Sequence, residues 1–413
     1  MAKTLCYATG GANTTTANTT ECFTVSMNDF NPTETSVQRM IRSPGSCSNL
    51  MIHLTANGVA ATSTFVFRKN AANGNNTVSI GSSATGFFED TTNTDTVAAG
   101  DKINMNLIPG AGTGTFTYTS VGFAFDASTN TVSLNICSNG TNASNITTAS
   151  QTTYYHPNAL FASYITTETN FKERQRKAGT FKNLAAYISS NTSNNAATLR
   201  SRLNAANGAL SASITGNTSG FFEDTTNTDT VAVGDDYNLS FTTGTGSTNI
   251  FPASFTTEFE NTSGVGIKSA SSHSPTARVT STTYNYGIGT LTQSATETDV
   301  QLRINGSYTF SELGVFLSAN TITAASTFLF RKNAANATMT ISITASTTGW
   351  FFDSVHTDAV VNTDLVNCRL TTGGTGTNLT IHQDTLYAEI TGGVISMTDT
   401  SSKTFANHFI TKV

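Results

Sequence analysis

The sequence has few charged residues and no long hydrophobic run. Charged residues make up 11% of the 413-residue chain, and its net charge is -5. Non-specific nucleic-acid binding requires a basic surface, so this charge argues against nucleic acid as a partner. No apolar stretch is long enough to cross a membrane, and no long segment has apolar residues at helical spacing. The abundant residues are Thr, Ser, Asn, Gly and Ala, which favour turns and strands.

Cysteine is also scarce, with five residues at 6, 22, 47, 137 and 368. An odd number without metal-site spacing predicts neither a disulfide framework nor a zinc site, although Cys6 and Cys22 could still pair. Cys368 takes the place of Met105 and Leu239 in an alternating pattern, which predicts a buried small hydrophobic residue. The start, MAKTLCYATGGANTTT, has no apolar signal core. An extracellular-type composition without a leader is typical of a virion component made in a host cytoplasm.

The chain contains three copies of one long segment. Residues 33–107, 167–241 and 296–370 align without a gap. RKNAAN at 68–73 corresponds to RLNAAN at 202–207 and to RKNAAN at 331–336, and GFFED at 86–90 and 220–224 corresponds to GWFFD at 349–353. Repeats of this length indicate triplication of a whole domain. We place the domains at 1–148, 149–278 and 279–413.

Within each copy, apolar residues alternate with polar ones. In the first copy, Phe65 and Phe67 share one side of a strand pattern, as do Ile103, Met105 and Leu107. A period of two predicts half-buried strands, and Gly- and Asn-rich turns separate them. The predicted fold is therefore all-β, with three tandem antiparallel jelly-roll β-sandwich domains. The polar stretch NFKERQRKAG at 170–179 is predicted to be a strand with a charged outer face.

The order of these motifs resembles a known family. FVFRKN at 65–70, TVSI at 77–80, the acidic turn at 90–101 and the strand at 103–107 are similar to the jelly rolls of the tumour-necrosis-factor and complement-C1q type. They are similar in particular to the Thr/Asn-rich forms in tailed-phage structural proteins and bacterial spore-surface proteins. The resemblance implies no enzymatic chemistry, no cofactor and assembly as trimers. Three tandem copies could form one trimer-like body with pseudo-threefold symmetry, or beads on a string; the sequence leaves both open.

Catalytic and metal motifs are missing. The six histidines share no position between copies, and no HExxH, nucleophile elbow or Walker loop occurs, so we expect no enzyme and no cofactor. Acidic loops recur, however, and their oxygens are the ligand type that Ca²⁺ prefers. The alternative, which we favour, is that these side chains fix turns by bonding their own backbone. The weak calcium candidates are Asp90, Asn93, Asp95, Asp224, Asn227 and Asp229.

Other recurring or unusual side chains are candidates for interfaces. Glu34, Glu168 and Glu297 occupy one register position, and we expect each to pair with an arginine of a neighbouring domain, such as Arg68, Arg202 or Arg331. The basic run at 172–177 is either a solvated face or a docking site for an acidic partner such as a capsid shell. It contributes Lys172, Arg174, Arg176 and Lys177. Trp350 aligns with Phe87 and Phe221, which favours packing over sugar binding.

Together these features predict a non-enzymatic bacteriophage virion structural protein, most simply a capsid decoration or cement protein. The alternative is a fibre or spike adhesin that binds a receptor or carbohydrate. A third hypothesis is a bacterial cell-surface or filament protein, which the missing signal peptide opposes. The expected partners are the major capsid protein or fibre and tail subunits, further copies in a trimer and, for the adhesin, a host glycan. The expected location is the virion, with no role at a membrane.

Overall fold

The computed structural model describes most of the chain as antiparallel β-structure. The described residues are 3–16, 19–23, 30–127, 132–138, 146–157, 166–246, 249–261, 268–271, 276–278, 283–286, 293–297, 300–305, 308–361, 364–376, 378–390, 396–399 and 406–411. Within these ranges, the one α-helix is the single turn Glu34–Val37 (α1). No helix in this part of the chain is long and apolar enough to span a membrane. The strands form three β-sandwiches, which we call unit 1 (3–127), unit 2 (132–261) and unit 3 (268–411).

Unit 1 pairs two sheets face to face. One has the strand order β33-β1-β10-β5-β8, in which β33 is the distant strand Ala406–Thr411, and the other has the order β3-β2-β9-β6-β7 with β4 beside β9. Its strands are β1 Lys3–Thr16, β2 Glu21–Phe23, β3 Phe30–Asn31, β4 Arg39–Met40, β5 Gly45–Asn57, β6 Ser63–Lys69, β7 Ala72–Ile80, β8 Gly86–Val97, β9 Lys102–Ile108 and β10 Thr115–Ala127.

Unit 2 repeats this plan with sheets β11-β19-β14-β17 and β12-β18-β15-β16, and β13 pairs with β18. A 3₁₀ turn at Glu168–Asn170 stands where unit 1 has its helix. The strands are β11 Val132–Ser138, β12 Thr152–Tyr155, β13 Glu173–Arg174, β14 Gly179–Asn191, β15 Ala197–Leu203, β16 Ala206–Ile214, β17 Gly220–Val231, β18 Asp236–Thr242 and β19 Ile250–Asn261.

Unit 3 has one sheet in the order β20-β31-β25-β28 and a second built on β22, β30, β24 and β32. Strands β21 and β29 join the first sheet, and β26 and β27 join the second. The strands are β20 Lys268–Ser271, β21 Thr276–Arg278, β22 Thr283–Tyr286, β23 Gln293–Ser294, β24 Leu302–Asn305, β25 Tyr308–Asn320, β26 Ser326–Lys332, β27 Ala335–Ile343, β28 Gly349–Asp353, β29 Asp358–Val360, β30 Leu365–Thr371, β31 Leu379–Ile390, β32 Ser396–Asp399 and β33 Ala406–Thr411.

The core of each unit lies between its two sheets and consists of the predicted alternating residues. Phe65 and Phe67 of β6 are fully buried, and so are Ile103, Met105 and Leu107 of β9. Their neighbours Val66, Asn104 and Asn106, which lie on the opposite face of the same sheet, are buried as well. The all-β, three-sandwich prediction is therefore confirmed.

The cysteines of the described core are free thiols. Cys22, Cys47 and Cys368 are buried and unbridged, so the suggested Cys6–Cys22 disulfide is not formed. Cys368 lies in the core of unit 3 as predicted, and burial raises the pKa of its thiol well above the usual value. A thiol held neutral in an apolar core is a poor nucleophile.

The polar stretch at 170–179 forms much less strand than expected. Within it, Glu173 and Arg174 are the two residues that pair with β18. The alternation itself holds. Phe171, Glu173 and Gln175 are buried, whereas Lys172 and Arg174 are partly exposed. The charged side chain of Glu173 thus faces inward, whereas the prediction placed the charged residues on the outer face.

Strands cross from one unit to the next. β11 lies inside the predicted first domain, 1–148, but it pairs with β19 of unit 2 along seven positions, Val132–Ser138. Likewise, β20 and β21 lie inside the predicted second domain, 149–278, but pair with β31 of unit 3. Strand β33, near the end of unit 3, pairs with β1 of unit 1.

The units close into a cycle. Besides the junctions between consecutive units described below, unit 3 contacts unit 1: Met51 of β5 is buried within the hydrophobic cluster of unit 3, and β32 lies against β10. In a string of beads, units 1 and 3 would not touch. The trimer-like alternative is therefore the one the contacts support.

Candidate interface between the repeat units

The three glutamates that recur at one register position, Glu34, Glu168 and Glu297, form ion pairs inside their own units. Arg68 donates from Nε and Nη2 to the two carboxylate oxygens of Glu34 at 2.8 and 2.9 Å. Glu168 with Arg202 and Glu297 with Arg331 repeat this two-point geometry. The expected arginine partners are present, but the prediction that these pairs join neighbouring domains is wrong. The glutamate lies in the segment before β5 or its equivalent and contacts the strand of the same sandwich.

Each of these arginines also fixes the turn that follows its strand. Arg68 contacts the side chain of Asn73 and the carbonyl of Ala71, and the other two units repeat both contacts. Asn70 and Ala71 have positive φ angles of 50 and 63°, a region that non-glycine residues rarely adopt. The ion pair lowers the pKa of Glu34 through its hydrogen bond with Arg68. These three sites hold local structure and leave no charge free for a partner.

The acidic loops likewise stabilise backbone. Asp224 accepts hydrogen bonds from the backbone N–H groups of Ser211 at 2.8 Å and of Thr226 and Asn227 at 3.1 Å. Burial raises its pKa, but these bonds outweigh burial and lower the pKa to about 2. Asp90 has the same arrangement with Thr77, Thr92 and Asn93, and its pKa is also lowered.

The remaining calcium candidates are engaged in the same way. Asn93 and Asn227 turn their amide nitrogens toward the aspartate at 2.9 Å, so they act as donors to the carboxylate. Asp95 accepts from the backbone N–H of Asn75 and Asn76, and Asp229 accepts from that of Ala209. Among the described residues, no group of three or more His, Cys, Asp or Glu side chains could hold a metal ion. The geometry agrees with the turn interpretation.

The junction between units 1 and 2 is polar and partly buried. Arg42, in the loop after β4, forms an ion pair with Glu223 of β17 and is itself almost buried. Its neighbour Ser43 donates to Glu258 of β19, a carboxylate that is 1% exposed and also accepts from Asn183 at 2.5 Å. A carboxylate at that depth depends on its donors because burial without hydrogen bonds is costly.

Aromatic side chains of unit 2 complete this junction. The Tyr187 hydroxyl donates to the carbonyl of Thr35 at 2.6 Å, and burial raises the pKa of Tyr187. Phe221 stacks on Tyr187 with ring centroids 4.6 Å apart. The ammonium of Lys102 from unit 1 lies 5.3 Å from the Phe221 ring centroid, within cation–π range.

The junction between units 2 and 3 uses the corresponding arginine. Arg176 donates from Nε and Nη2 to one oxygen of Glu312 at 2.9 and 2.8 Å. Its guanidinium carbon also lies 4.3 Å from the ring centroid of Phe352. In the gap-free alignment, Arg176 corresponds to Arg42, and Phe352 corresponds to Glu223. Both junctions therefore present the same loop of one unit to the same sheet of the next, which is a heterologous contact.

The third junction departs from this scheme. The register position of the two arginines is occupied by Asn305 in unit 3, and the equivalent of Glu223 in unit 1 is the exposed Glu89. Glu89 accepts a hydrogen bond from Asn49 at 3.0 Å within its own unit. Unit 3 instead reaches unit 1 through Met51, β32 and β33.

The remaining interface candidates have different surroundings. Arg174 pairs with Asp236 of its own unit, and Lys172 and Lys177 are partly exposed. Arg176 of the basic run meets an acidic group of another unit. Trp350 is partly exposed on the outer face of β28, stacked on Phe352 at 5.1 Å and beside Phe316 at 5.4 Å.

Sequence reasoning missed Arg42, Ser43 and Glu312. A signal for Arg42 was present, because it aligns with Arg176, which the basic run had drawn attention to. Nothing in one sequence marks Glu312 as the acceptor, since the equivalent positions 49 and 183 carry Asn.

Comparisons with known proteins add little to this geometry. No protein-family model matches the chain, and no curated protein matches it. A solved chain described as "The Triple Jelly Roll Fold and Turret Assembly in an Archaeal Virus" matches 86% of this chain and 81% of its own length, at 15% identity and a TM-score of 0.17. At that TM-score the two structures do not superpose as whole bodies, so the match carries no argument about fold or role.

Proposed function

We propose that this protein is a non-enzymatic structural component of a virion, in which one chain supplies a preassembled three-unit body that decorates the capsid. The observation that carries the proposal is the cyclic set of unit contacts, in which equivalent faces meet twice through Arg42 and Arg176. The proteins that the sequence resembles usually build such bodies from three chains, and here one chain contains all three units.

The recurring acidic side chains support a structural role. They are occupied by backbone N–H groups or by arginines of the same unit, so little charge is left to bind a charged substrate. The outer strands are rich in Thr and Asn, which keeps the surface polar without high charge. Contacts with capsid subunits would then rest on area and shape more than on charge pairs.

Copy number in purified particles tests the proposal. A decoration protein is expected in hundreds of copies per virion, spread over the capsid surface in images of labelled particles. The labelling would use a tag on an exposed turn such as the one at Gly100. Absence from purified particles would overturn the virion assignment, and a few copies at a tail tip would overturn decoration.

The second candidate is an adhesin of a fibre or spike, and one observation favours it. Phe316 and Trp350 are partly exposed on unit 3, with ring centroids 5.4 Å apart, and aromatic rings stack on sugar faces. A glycan array distinguishes the candidates: saturable binding to one sugar class, lost in Trp350→Ala and retained in Trp350→Phe, supports the adhesin. Decoration predicts no saturable binding.

A further inference from the structure

One sheet position is filled by a crossing strand in two units and by a different strand in the third. β11, which follows unit 1, pairs with β19 of unit 2, and β20, which follows unit 2, pairs with β31 of unit 3. In unit 1 the equivalent position beside β10 is filled by β1. Strand β33, the last strand of unit 3, therefore pairs with the outer edge of β1 instead.

The contact between β33 and β1 is the seam of the cycle. It joins segments from opposite ends of the sequence, whereas the other two junctions are each crossed by the continuous chain. It pairs six positions, Thr4–Thr9 with Ala406–Thr411. β33 also lies against β20 of unit 3, where the edges of two sandwiches meet. Covering a sheet edge in this way removes a site for uncontrolled strand pairing.

The seam has no counterpart of the arginine that reinforces the other two junctions. At the register position of Arg42 and Arg176, unit 3 has Asn305, and in unit 1 the equivalent of Glu223 is Glu89, which is exposed and accepts a hydrogen bond from Asn49. Backbone pairing of β33 and apolar packing around Met51 hold this junction. Unlike the other two junctions, the seam is not crossed by the continuous chain and has no arginine equivalent to Arg42 or Arg176.

We propose that β33 is a strap that closes the three units into a ring, and that the ring opens at the seam between units 3 and 1. Opening exposes the outer edge of β1, and closing restores the backbone pairing of that edge with β33 of the same chain. The tether keeps β33 at a high local concentration, so closure within one molecule prevails over exchange with a second copy. This opening and closing is a conformational property that goes beyond the proposed structural role.

A designed disulfide tests the closure. Cys6 and Phe409 are directly opposite in the register of β1 and β33, and the Cα atoms of such pairs are about 4.5–5.5 Å apart, which a disulfide can bridge. We expect Phe409→Cys to form a disulfide with Cys6 within one chain and to raise the thermal unfolding midpoint by several degrees. The matched control is Ile410→Cys, which is opposite Leu5 and therefore one register position away from Cys6. A disulfide mainly between two chains, or equal yields in the two variants, would overturn the closure.

Hydrogen exchange of the unmodified chain tests the opening. We expect the amides of Thr4–Thr9 and Ala406–Thr411 to exchange about tenfold faster or more than those of the β11–β19 ladder. In the oxidised Phe409→Cys chain the seam should slow to the rate of that ladder. Equally slow exchange at the seam and at β11–β19 in the unmodified chain would overturn the proposal. Both measurements use the isolated protein, so their results do not depend on whether the protein is part of a virion. The seam proposal can therefore fail while the proposed function stands.

Discussion

Arg176 of unit 2 and Glu312 of unit 3 are joined by two hydrogen bonds of 2.9 and 2.8 Å, and the same guanidinium covers the ring of Phe352. Both side chains of the pair are less than one-fifth exposed. Removing one partner of a pair that is largely shielded from solvent leaves the other charge uncompensated, which costs more than breaking a surface salt bridge. We therefore expect a single substitution at Arg176 to weaken the contact between units 2 and 3.

Arg176→Ala is expected to weaken the junction between units 2 and 3. Removing the guanidinium leaves Glu312 without its partner, at a cost of about 2 kcal/mol. Calorimetry should show a lower unfolding midpoint. Arg174→Ala is the matched control, because Arg174 is close in sequence but pairs with Asp236 inside unit 2. An equal decrease of the unfolding midpoint in the two variants would show that the Arg176–Glu312 pair stabilises the protein no more than the Arg174–Asp236 pair does.

Asn305→Arg is expected to create the ion pair that the third junction lacks. By the register of the repeats, the new guanidinium would face Glu89, and an exposed pair contributes about 0.5 kcal/mol. Denaturant unfolding should show a higher midpoint at low salt, with the gain reduced at high salt. The gain should vanish when Glu89→Gln is added, and a gain that persists in the double variant would contradict the pairing.

Asp224→Asn is expected to destabilise unit 2 in a pH-dependent way. The folded-state pKa of about 2 lies below the unfolded value of about 3.9, so the carboxylate stabilises the fold above the unfolded pKa. That contribution, about 2 kcal/mol, is lost as the pH falls from about 4 toward 2. Unfolding at several pH values should show a large difference between variant and parent at pH 7 and a small one at pH 2. A difference independent of pH would refute this account.

Calcium and chelators are expected to leave the stability unchanged. The oxygens of Asp90 and Asp224 already accept bonds from backbone and side-chain N–H groups, so a cation would have to displace those donors. Thermal unfolding in millimolar CaCl₂ and in EDTA should give the same midpoint. An upward shift with CaCl₂ that EDTA reverses would restore the calcium interpretation.

The Glu297–Arg331 pair is expected to show strong coupling. Either single change, Glu297→Ala or Arg331→Ala, leaves a shielded charge without its partner, whereas removing both leaves none. A double-mutant cycle should therefore give a double variant that loses less stability than the two single changes together. Simple additivity would mean that the two side chains act independently.

Much of the architecture could be predicted from the sequence because it depends on local periodicity. The alternation around Phe65, Phe67 and Ile103 predicts strands, and the gap-free repeats predict three similar sandwiches. The turn role of Asp224 follows from the local chemistry of Asp beside Thr and Asn. The sequence also suggests arginines such as Arg68 as partners of the repeated glutamates, but it places the partner in a neighbouring domain, whereas Glu34 and Arg68 pair within one unit.

The sequence by itself determined the strand content, the number of units and the identity of the core residues, since each depends on the pattern of neighbours along the chain. Only the tertiary structure decided which unit a crossing strand joins, that unit 3 returns to unit 1, and that Arg42 and Arg176 meet Glu223 and Glu312. These contacts join residues far apart in sequence, and their selection depends on how whole sandwiches pack. No local pattern records that packing.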